Sequence, residues 1–381
     1  MVRLCLMCAA TLTFPASTRA QSPSYNYVTN GNSIQLIYPC DGYGAVTIPD
    51  SISGYPVKSI GYQAFQANQY LTSVTIPNTV ASIGQAAFWF SINLTTATIG
   101  TNVISIGDNA FASCSNLKNV IIPDSVTSVG IQAFHHCQSM TDVMIGNNVT
   151  KIAYGCFAQC LNLNSVTIGN HVTSIETIAF SGCSMLPSIT IPNGVTIIGT
   201  NAFSQCTNLT DISIPNSVTT LSFGAFNGCR SLTRIIIPKS VTSIGDYAFQ
   251  YGTNLREVYF QGNAPSLGGA SVFLYTTNAT IYYLPGTTGW GTTYGGLPTQ
   301  LWNPQARTSD SNFGVRTNKF GFNITGSSNL VLVVEASTNL MNWSPVSTNT
   351  LNIFIGTNGT SYFNDPQWTN YPGRFYRIRS P

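Results

Sequence analysis

Phenylalanine recurs along this chain at a fixed step of 23 residues, at Phe65, Phe88, Phe111, Phe134, Phe157, Phe180, Phe203, Phe226 and Phe249. A period of this size, held without slippage, confines the chain to architectures in which one unit cannot bury its apolar face alone and does so by stacking on copies of itself. In the unit that opens at Leu71, apolar residues fall at Leu71, Val74, Ile76, Val80, Ile83 and Phe88, and the next unit opens at Leu94. Leu-x-x-Val-x-Ile reads as a short strand with alternate residues inward, ended by Pro77, Gly100, Pro123 or Gly146. A second extended piece follows, such as Val241 to Ile244, and then a tight turn carrying Ala-Phe. The predicted fold is mainly β, a solenoid of leucine-rich coils stacked at about the 4.8 Å of hydrogen-bonded strands.

The stretch VIIPDSVTSVGIQAFHHC, Val120 to Cys137, ends in side chains that often bind zinc or act as nucleophiles. The repeat frame reads them differently. Cys114, Cys137, Cys160, Cys183, Cys206 and Cys229 share one position, three residues after each Phe, and form a ladder. Cys156 replaces the alanine that precedes Phe elsewhere, as a small buried side chain would. His135 and His136 occupy positions that hold Ala-Ser, Ala-Gln, Ser-Gly or Asn-Gly in other coils, and His171 falls on another face. A metal needs three or four converging ligands; no metal or other cofactor is expected. Side chains at one position of stacked coils keep their Cβ atoms about 4.8 Å apart, beyond the usual bridging range, so the ladder is expected to hold reduced thiols. Cys40 has no evident partner.

Charged residues make up only 7% of the chain, with 43% hydrophobic. Thr, Ser and Asn solubilise it instead, a balance that suits an extracellular β-rich protein. At the amino terminus, Arg3, the apolar run Leu4 to Phe14 and small residues ending at Ala20 read as a secretion signal cleaved near Ala20. No later segment has the run of about 18 or more apolar residues that a membrane span needs. The formal charge is +3, and removal of Arg3 and Arg19 leaves the chain close to neutral, which disfavours nucleic acid as a partner.

The segments SVTIPNTVASIGQAAF, IIPDSVTSVGIQAF and IIPKSVTSIGDYAF, with the Cys-x-Asn-Leu that follows several of the turns, resemble the BspA-like leucine-rich repeats of secreted bacterial surface proteins. The likeness runs from about Val46 to Phe260. It implies a curved solenoid used for adhesion or protein binding and brings no catalytic residues. Around the repeats, SYNYVTNGNSIQLIY reads as a hairpin about Asn30-Gly31, and the first unit, VTIPDSISGYPVKSIG, is longer than the others; together they are expected to cap the amino-terminal end. After Phe260 the period is expected to lapse into a closing cap. LPGTTG from Leu284 has Thr288 where a sortase signal requires Gly, and reads as a turn.

The signal (1–20) and the capped solenoid (21–306) precede a small β-sandwich-like domain (307–381), with residues 303–312 read as a linker. This last part resembles the carboxy-terminal modules of verrucomicrobial secreted proteins.

Function is sought on the outward positions of the leucine-rich strand, the second, third and fifth, which form columns down the concave face. Most hold Thr, Ser or Asn. The departures are Arg234, Ile236, Arg256, Glu257 and Tyr259, which make the first candidate binding patch, and Lys118, Ile121 and Met144, which make a second. The expected partner is an extracellular protein or glycan. Asp211 and Glu257, two coils apart, approach the carboxylate separation of an inverting glycosidase. Arg234 between them is expected to hold both ionised in an ion-pair ladder. No zinc-protease, nucleophile-elbow or P-loop motif is present, so the chain reads as a non-enzyme. One alternative makes the repeats a spacer, with the carboxy-terminal module binding glycan or mediating surface attachment. Another uses the outer column Thr127, Thr150, Thr173, Thr196, Thr219 and Thr242 against ice or a polysaccharide; Thr in strands needs no such explanation.

If His135 and His136 only decorate a turn, His135→Ala and His136→Ala should each change unfolding free energy by no more than about 0.5 kcal/mol in a urea titration. A loss of several times that would assign them a structural or ligand-holding role.

Overall fold

The computed structural model describes residues 23–379 except 304, 317–318, 326–330, 347–351, 355–359 and 372. The stretch read as a secretion signal lies outside the described residues. Every regular coil supplies two strands: a leucine-rich one, such as Asn119–Ile122 or Asp142–Ile145, and a two-residue outer one, such as Ser174–Ile175. Most strands pair in parallel with their counterpart one coil on, Val120 with Val143 and Ile175 with Ile198. Asn119–Ile122 alternates exposed and buried residues, as the leucine-rich spacing predicts. The leucine-rich ladder is interrupted between Asp211–Ser213 and Arg234–Ile237, the outer one between Ser128–Val129 and Lys151–Ile152, and the leucine-rich one also between Ser165–Thr167 and Ser188–Thr190. There Pro187 stands where Asn164 and Thr210 donate a backbone N–H to the preceding coil, and proline has none to give.

The turn that carries the phenylalanine is also laterally bonded. Phe88 N donates to Ala110 O and Phe111 N to Ala133 O, so the turns form a ladder of their own. Two residues of each turn have left-handed backbone, at the second position before and after Phe. His136, for example, has φ 58° where Gly182 and Gly228 stand in later coils. The rings stack from Phe65 to Phe249 at centroid separations of 4.9–5.7 Å, with planes within 11° of parallel. Hydrogen-bonded strands sit about 4.7–4.9 Å apart, so the ring column follows the same lateral step as the backbone ladders.

The cysteine ladder has a bonding role that spacing alone does not reveal. Each thiol donates to the carbonyl of the phenylalanine in the coil before: Cys114 to Phe88 O at 3.1 Å, Cys137 to Phe111 O at 3.3 Å and Cys229 to Phe203 O at 3.2 Å. In the flanking coils hydroxyls do the same work, Ser91 to Phe65 O at 2.8 Å and Thr276 to Phe249 O at 2.7 Å. The carbonyl also accepts a backbone N–H from its own turn, Ser91 N to Phe88 O at 3.1 Å and Cys114 N to Phe111 O at 3.2 Å, so the position holds a small buried donor for its second lone pair. The cysteines are free and buried. Burial pushes the Cys114 thiol up to about 12, which keeps it protonated and unreactive.

Both ends of the stack are closed. Asn26–Asn30 and Ser33–Ile37 form the expected hairpin, and the second strand pairs in parallel with Tyr55–Ile60 as an outer strand would. Tyr25 lies edge-on to Phe65 at 6.5 Å. The extra residues of the first unit form a small antiparallel pair, Ser51–Ile52 with Tyr55 and Pro56. At the other end the period does not lapse where expected. Thr280–Tyr283 pairs with Glu257–Phe260 in the same 23-residue register, and Phe273 stacks on Phe249 at 5.4 Å. One residue inserted ahead of Phe273 hides this coil from a strict 23-residue count. Closure comes one segment later, where the backbone of Gly295 lies so close to Phe273 that a Cβ would fall 2.7 Å from its ring. Thr287 N donates to Leu284 O, so LPGTTG is a turn.

The stretch read as a linker instead begins the next domain. Gln305–Arg307 pairs with Lys319–Thr325, and Asn323 donates to Asp310 at 2.9 Å. Lys319–Thr325 also pairs with Gly314–Arg316 and Thr360–Asp365, while Val331–Ser337 pairs with Ser344–Pro345, Asn352–Phe354 and Phe375–Arg379. These two antiparallel sheets enclose Phe322, Ile324, Val334 and Phe363 as a sandwich. Buried Asp365 accepts from Arg374 at 2.6 Å and from Tyr376 at 2.8 Å. Among the described residues there is no α-helix, and none long and apolar enough to cross a membrane.

Because serine performs the ladder role at Ser91, Cys137→Ser should cost no more than about 1 kcal/mol. Cys137→Asp, which buries a carboxylate, should cost more than about 3 kcal/mol. Urea unfolding monitored by circular dichroism distinguishes the two; equal losses would overturn the donor account.

Candidate functional site

Strands Arg234–Ile237 and Glu257–Phe260 are neighbours, with Arg234 opposite Glu257 and Ile236 opposite Tyr259. The structure thus brings the first candidate patch together, but not as an open surface. Tyr259 is only 2% exposed. It is buried with Tyr282 and Trp302 against Phe322, Ile324, Val334 and Phe363 of the sandwich, and Ile236 packs on the same cluster. Tyr259 and Tyr282 stack at 4.9 Å. The expectation that Tyr259 lies free for a partner is corrected: the molecule's own carboxy-terminal domain occupies this end of the concave face. Arg256 remains exposed and Arg234 half-buried.

The fifth-position column explains why the sandwich docks here. It reads Thr75, Thr98, Ile121, Met144, Thr167, Thr190, Ser213, then Ile236, Tyr259 and Tyr282. Only the last three coils offer a continuous apolar strip, and each large aromatic buries about 150–250 Å². At about 25 cal/mol per Å² that is roughly 4–6 kcal/mol per ring before ordering costs. Tyr282 was hidden by the apparent loss of period, and Trp302 by its place in the supposed approach to a linker. Without them Ile236 and Tyr259 look like an isolated exposed pair.

The expected ion-pair ladder is also corrected. Among the described residues no pair within 4.0 Å joins Arg234 to Asp211 or Glu257. Burial raises the Glu257 carboxyl above its ordinary value, against the lowering influence of a hydrogen bond from Tyr259 and the nearby Arg234 charge. Asp211 and Arg234 line a cleft of about 380 Å³, and Glu257 does not. The two carboxylates therefore do not face one cavity.

The second patch is open. Ile121 and Met144 are register partners, 62% and 51% exposed, in a groove of about 850 Å³. Lys118, just before the strand, is exposed but does not line the groove. The groove's lip is built from side chains that accept the next coil's backbone N–H: Asp124 from Asn147 at 2.7 Å, and Asn147 from Asn170 at 3.1 Å. That ladder fixes the wall on which Ile121 and Met144 stand.

The other candidates are reduced to local bonding. The His135 and His136 rings rest edge to face at 4.2 Å, and burial, with the neighbouring His136, lowers the His135 pKa. In the outer column Thr173, Thr196 and Thr242 turn their hydroxyls onto the carbonyls of Thr150, Thr173 and Thr219 one coil back, at 3.1–3.4 Å. Those hydroxyl protons serve the backbone.

A succession of parallel strands, stacked turns and a ring column is the architecture of leucine-rich repeat proteins. A solved leucine-rich repeat protein from Bacteroides ovatus is similar, with a TM-score of 0.63 at 28% identity over 74% of this chain and 76% of that one. A leucine-rich cell surface protein from Faecalibacterium prausnitzii is 28% identical over 68% of this chain and 93% of that one, with a TM-score of 0.40. A leucine-rich repeat protein from T. pallidum is 29% identical over 49% and 88%, with a TM-score of 0.47. No curated protein matches. The family model for the BspA type leucine rich repeat region matches residues 38–164 and 150–280, and the chain belongs to that family.

The raised pKa of Glu257 carries a pH signature. A group bound more tightly to its proton in the folded state contributes stability that is present below its unfolded pKa and lost as pH rises through the folded one. Stability should therefore fall from acid pH up through the raised Glu257 value, and Glu257→Gln should flatten that slope. Thermal melts of both proteins across this window test it; identical slopes would remove Glu257 as the cause.

Proposed function

We propose that this chain is a secreted or cell-surface recognition protein without catalytic activity. The solenoid is a rigid frame, and its open inner face around Ile121 and Met144 contacts an extracellular partner protein. The observation that carries this reading is the exposed register pair Ile121–Met144 in a groove of about 850 Å³. It is a centre of apolar contact with a polar rim of Asn119, Asp124, Thr167 and Asn170, the anatomy of a protein interface. Family membership supports a role in binding. The low charge of the chain, 7%, suits a site that works by shape rather than by long-range steering.

A second reading, with the sandwich as the contacting or attaching module, is favoured by one loop. Ser337 Oγ accepts from Asn339 N and Leu340 N, and Asn339 Oδ1 accepts from Met341 N and Asn342 N. This braced turn presents Leu340 and Met341 to solvent.

The test is binding of the full chain to immobilised extracellular-matrix proteins. The double variant Ile121→Asp, Met144→Asp should weaken capture at least about tenfold, a change of 1.4 kcal/mol, with an unchanged melting curve. Full binding by that variant would sink the groove reading, and loss on Met341→Asp alone would transfer the role to the sandwich.

A further inference from the structure

The amino-terminal end of the solenoid holds a second pocket that neither the repeats nor the groove accounts for. It measures about 250 Å³ and is lined by Tyr38, Asp41, Tyr43, Gln66, Asn68 and Tyr70, among others. Tyr43 and Tyr70 are 45% and 65% exposed, their rings 4.9 Å apart and tilted by 31°; Tyr38 is exposed as well. Tyr70 immediately precedes its leucine-rich strand, a place that holds Asn93, Asn116, Ser139 and Asn162 in the next coils. Nothing in the stacking of coils asks for tyrosine there. Tyr70 stays more than half exposed there and pairs with Tyr43 of the cap, so the two rings present an aromatic surface beside the pocket.

The pocket is held open by bonds that have no other evident purpose. Cys40 N donates to Ala64 O at 2.7 Å and its thiol to Ile37 O at 3.1 Å, which pins the loop between Tyr38 and Tyr43 onto the first coil. Asp41 N donates to Ser24 O at 3.0 Å, and Ser24 Oγ donates to the Asp41 carboxylate at 3.2 Å. Asn68 Oδ1 accepts from Tyr70 N at 3.0 Å and Leu71 N at 3.1 Å, which fixes the amide and directs its N–H groups away from those donors. The rings, the carboxylate and the amide are therefore positioned before any ligand arrives, which lowers the ordering cost of binding.

We propose that this pocket binds one sugar ring of a neutral glycan. The C–H faces of a pyranose are apolar and pack on aromatic rings such as Tyr43 and Tyr70. Its neighbouring hydroxyls each donate and accept, as does the amide of Gln66, while the Asn68 amide, its oxygen already taken by two backbone N–H groups, donates and Asp41 accepts. The pocket has no cationic side chain for an acidic ligand. It is smaller than the roughly 300–1,000 Å³ of a site that engulfs a drug-sized ligand, so it takes one ring of a longer chain and leaves the rest in solvent. This inference shares with the proposed function only the extracellular setting; it does not use the Ile121–Met144 groove.

The test is isothermal titration calorimetry of the full chain with cellohexaose, mannohexaose and chitohexaose. Binding of at least one is expected. Tyr43→Ala and Tyr70→Ala should each weaken it about tenfold or more, while Tyr70→Phe, which keeps the ring, should stay within about twofold. The variant Ile121→Asp, Met144→Asp should bind the same sugar normally. Absence of heat with all three sugars at millimolar concentration would overturn the assignment, as would binding indifferent to both alanine variants. Loss of sugar binding in the groove variant alone would move the glycan to the concave face and overturn the pocket while leaving the groove in use.

Discussion

The structure depends on lateral satisfaction of the backbone. Within a coil the internal backbone bonds are short-range turn contacts such as Ala87 N to Gly84 O and Ser91 N to Phe88 O, and the bonds that hold one coil to the next run to carbonyls one coil away. Strand residues do this through the parallel ladders, Val120 beside Val143, and turn residues do it through pairs such as Phe111 N to Ala133 O. Any slip of register would break all of these ladders and the ring column at once. This is why the phenylalanine step is fixed while the outward positions drift. The same requirement explains the thiols. The phenylalanine carbonyl accepts a backbone N–H from its own turn and, in most coils, a second bond from a cysteine, serine or threonine three residues past the next ring.

The solenoid was legible because its determinants are periodic. Inward residues, strand stops and the turn all repeat, so one unit read correctly gives the others. The amino-terminal hairpin was legible from Asn30-Gly31 for a local reason, the backbone that such a turn requires. What escaped were features set by a single insertion or by distant partners. The residue added before Phe273 broke a strict count and hid a whole coil, although Glu257 and Thr280 keep the period. The strand Gln305–Arg307 was concealed by neighbouring turn formers, since its pairing partner, Lys319–Thr325, lies beyond a turn.

The site was legible by position and not by environment. The residues Arg234, Ile236, Glu257 and Tyr259 do converge, as their places in the repeat require. Whether a converging patch is open depends on what else packs there, and the sandwich that covers Tyr259 is joined only by tertiary contact. The ion-pair ladder failed for the same reason: charge order along a column does not include the burial that raises Glu257. Tyr70 was overlooked although its signal was in the sequence, since Asn or Ser fills that position in the coils that follow except at Met185.

The two ends of the solenoid differ in what they hold. The carboxy-terminal coils are joined to the sandwich by the Tyr259, Tyr282 and Trp302 cluster, and strand Gln305–Arg307 begins three residues past Trp302. The first coil carries the pinned tyrosine pocket. Between them the coils repeat the same turn bonding, Phe88 N to Ala110 O and Phe203 N to Ala225 O, so inserting or deleting one away from the ladder interruptions would disturb neither end. The number of repeats is therefore a ruler: each adds about 4.8 Å between the amino-terminal pocket and the carboxy-terminal domain, and reach can change without altering either terminus.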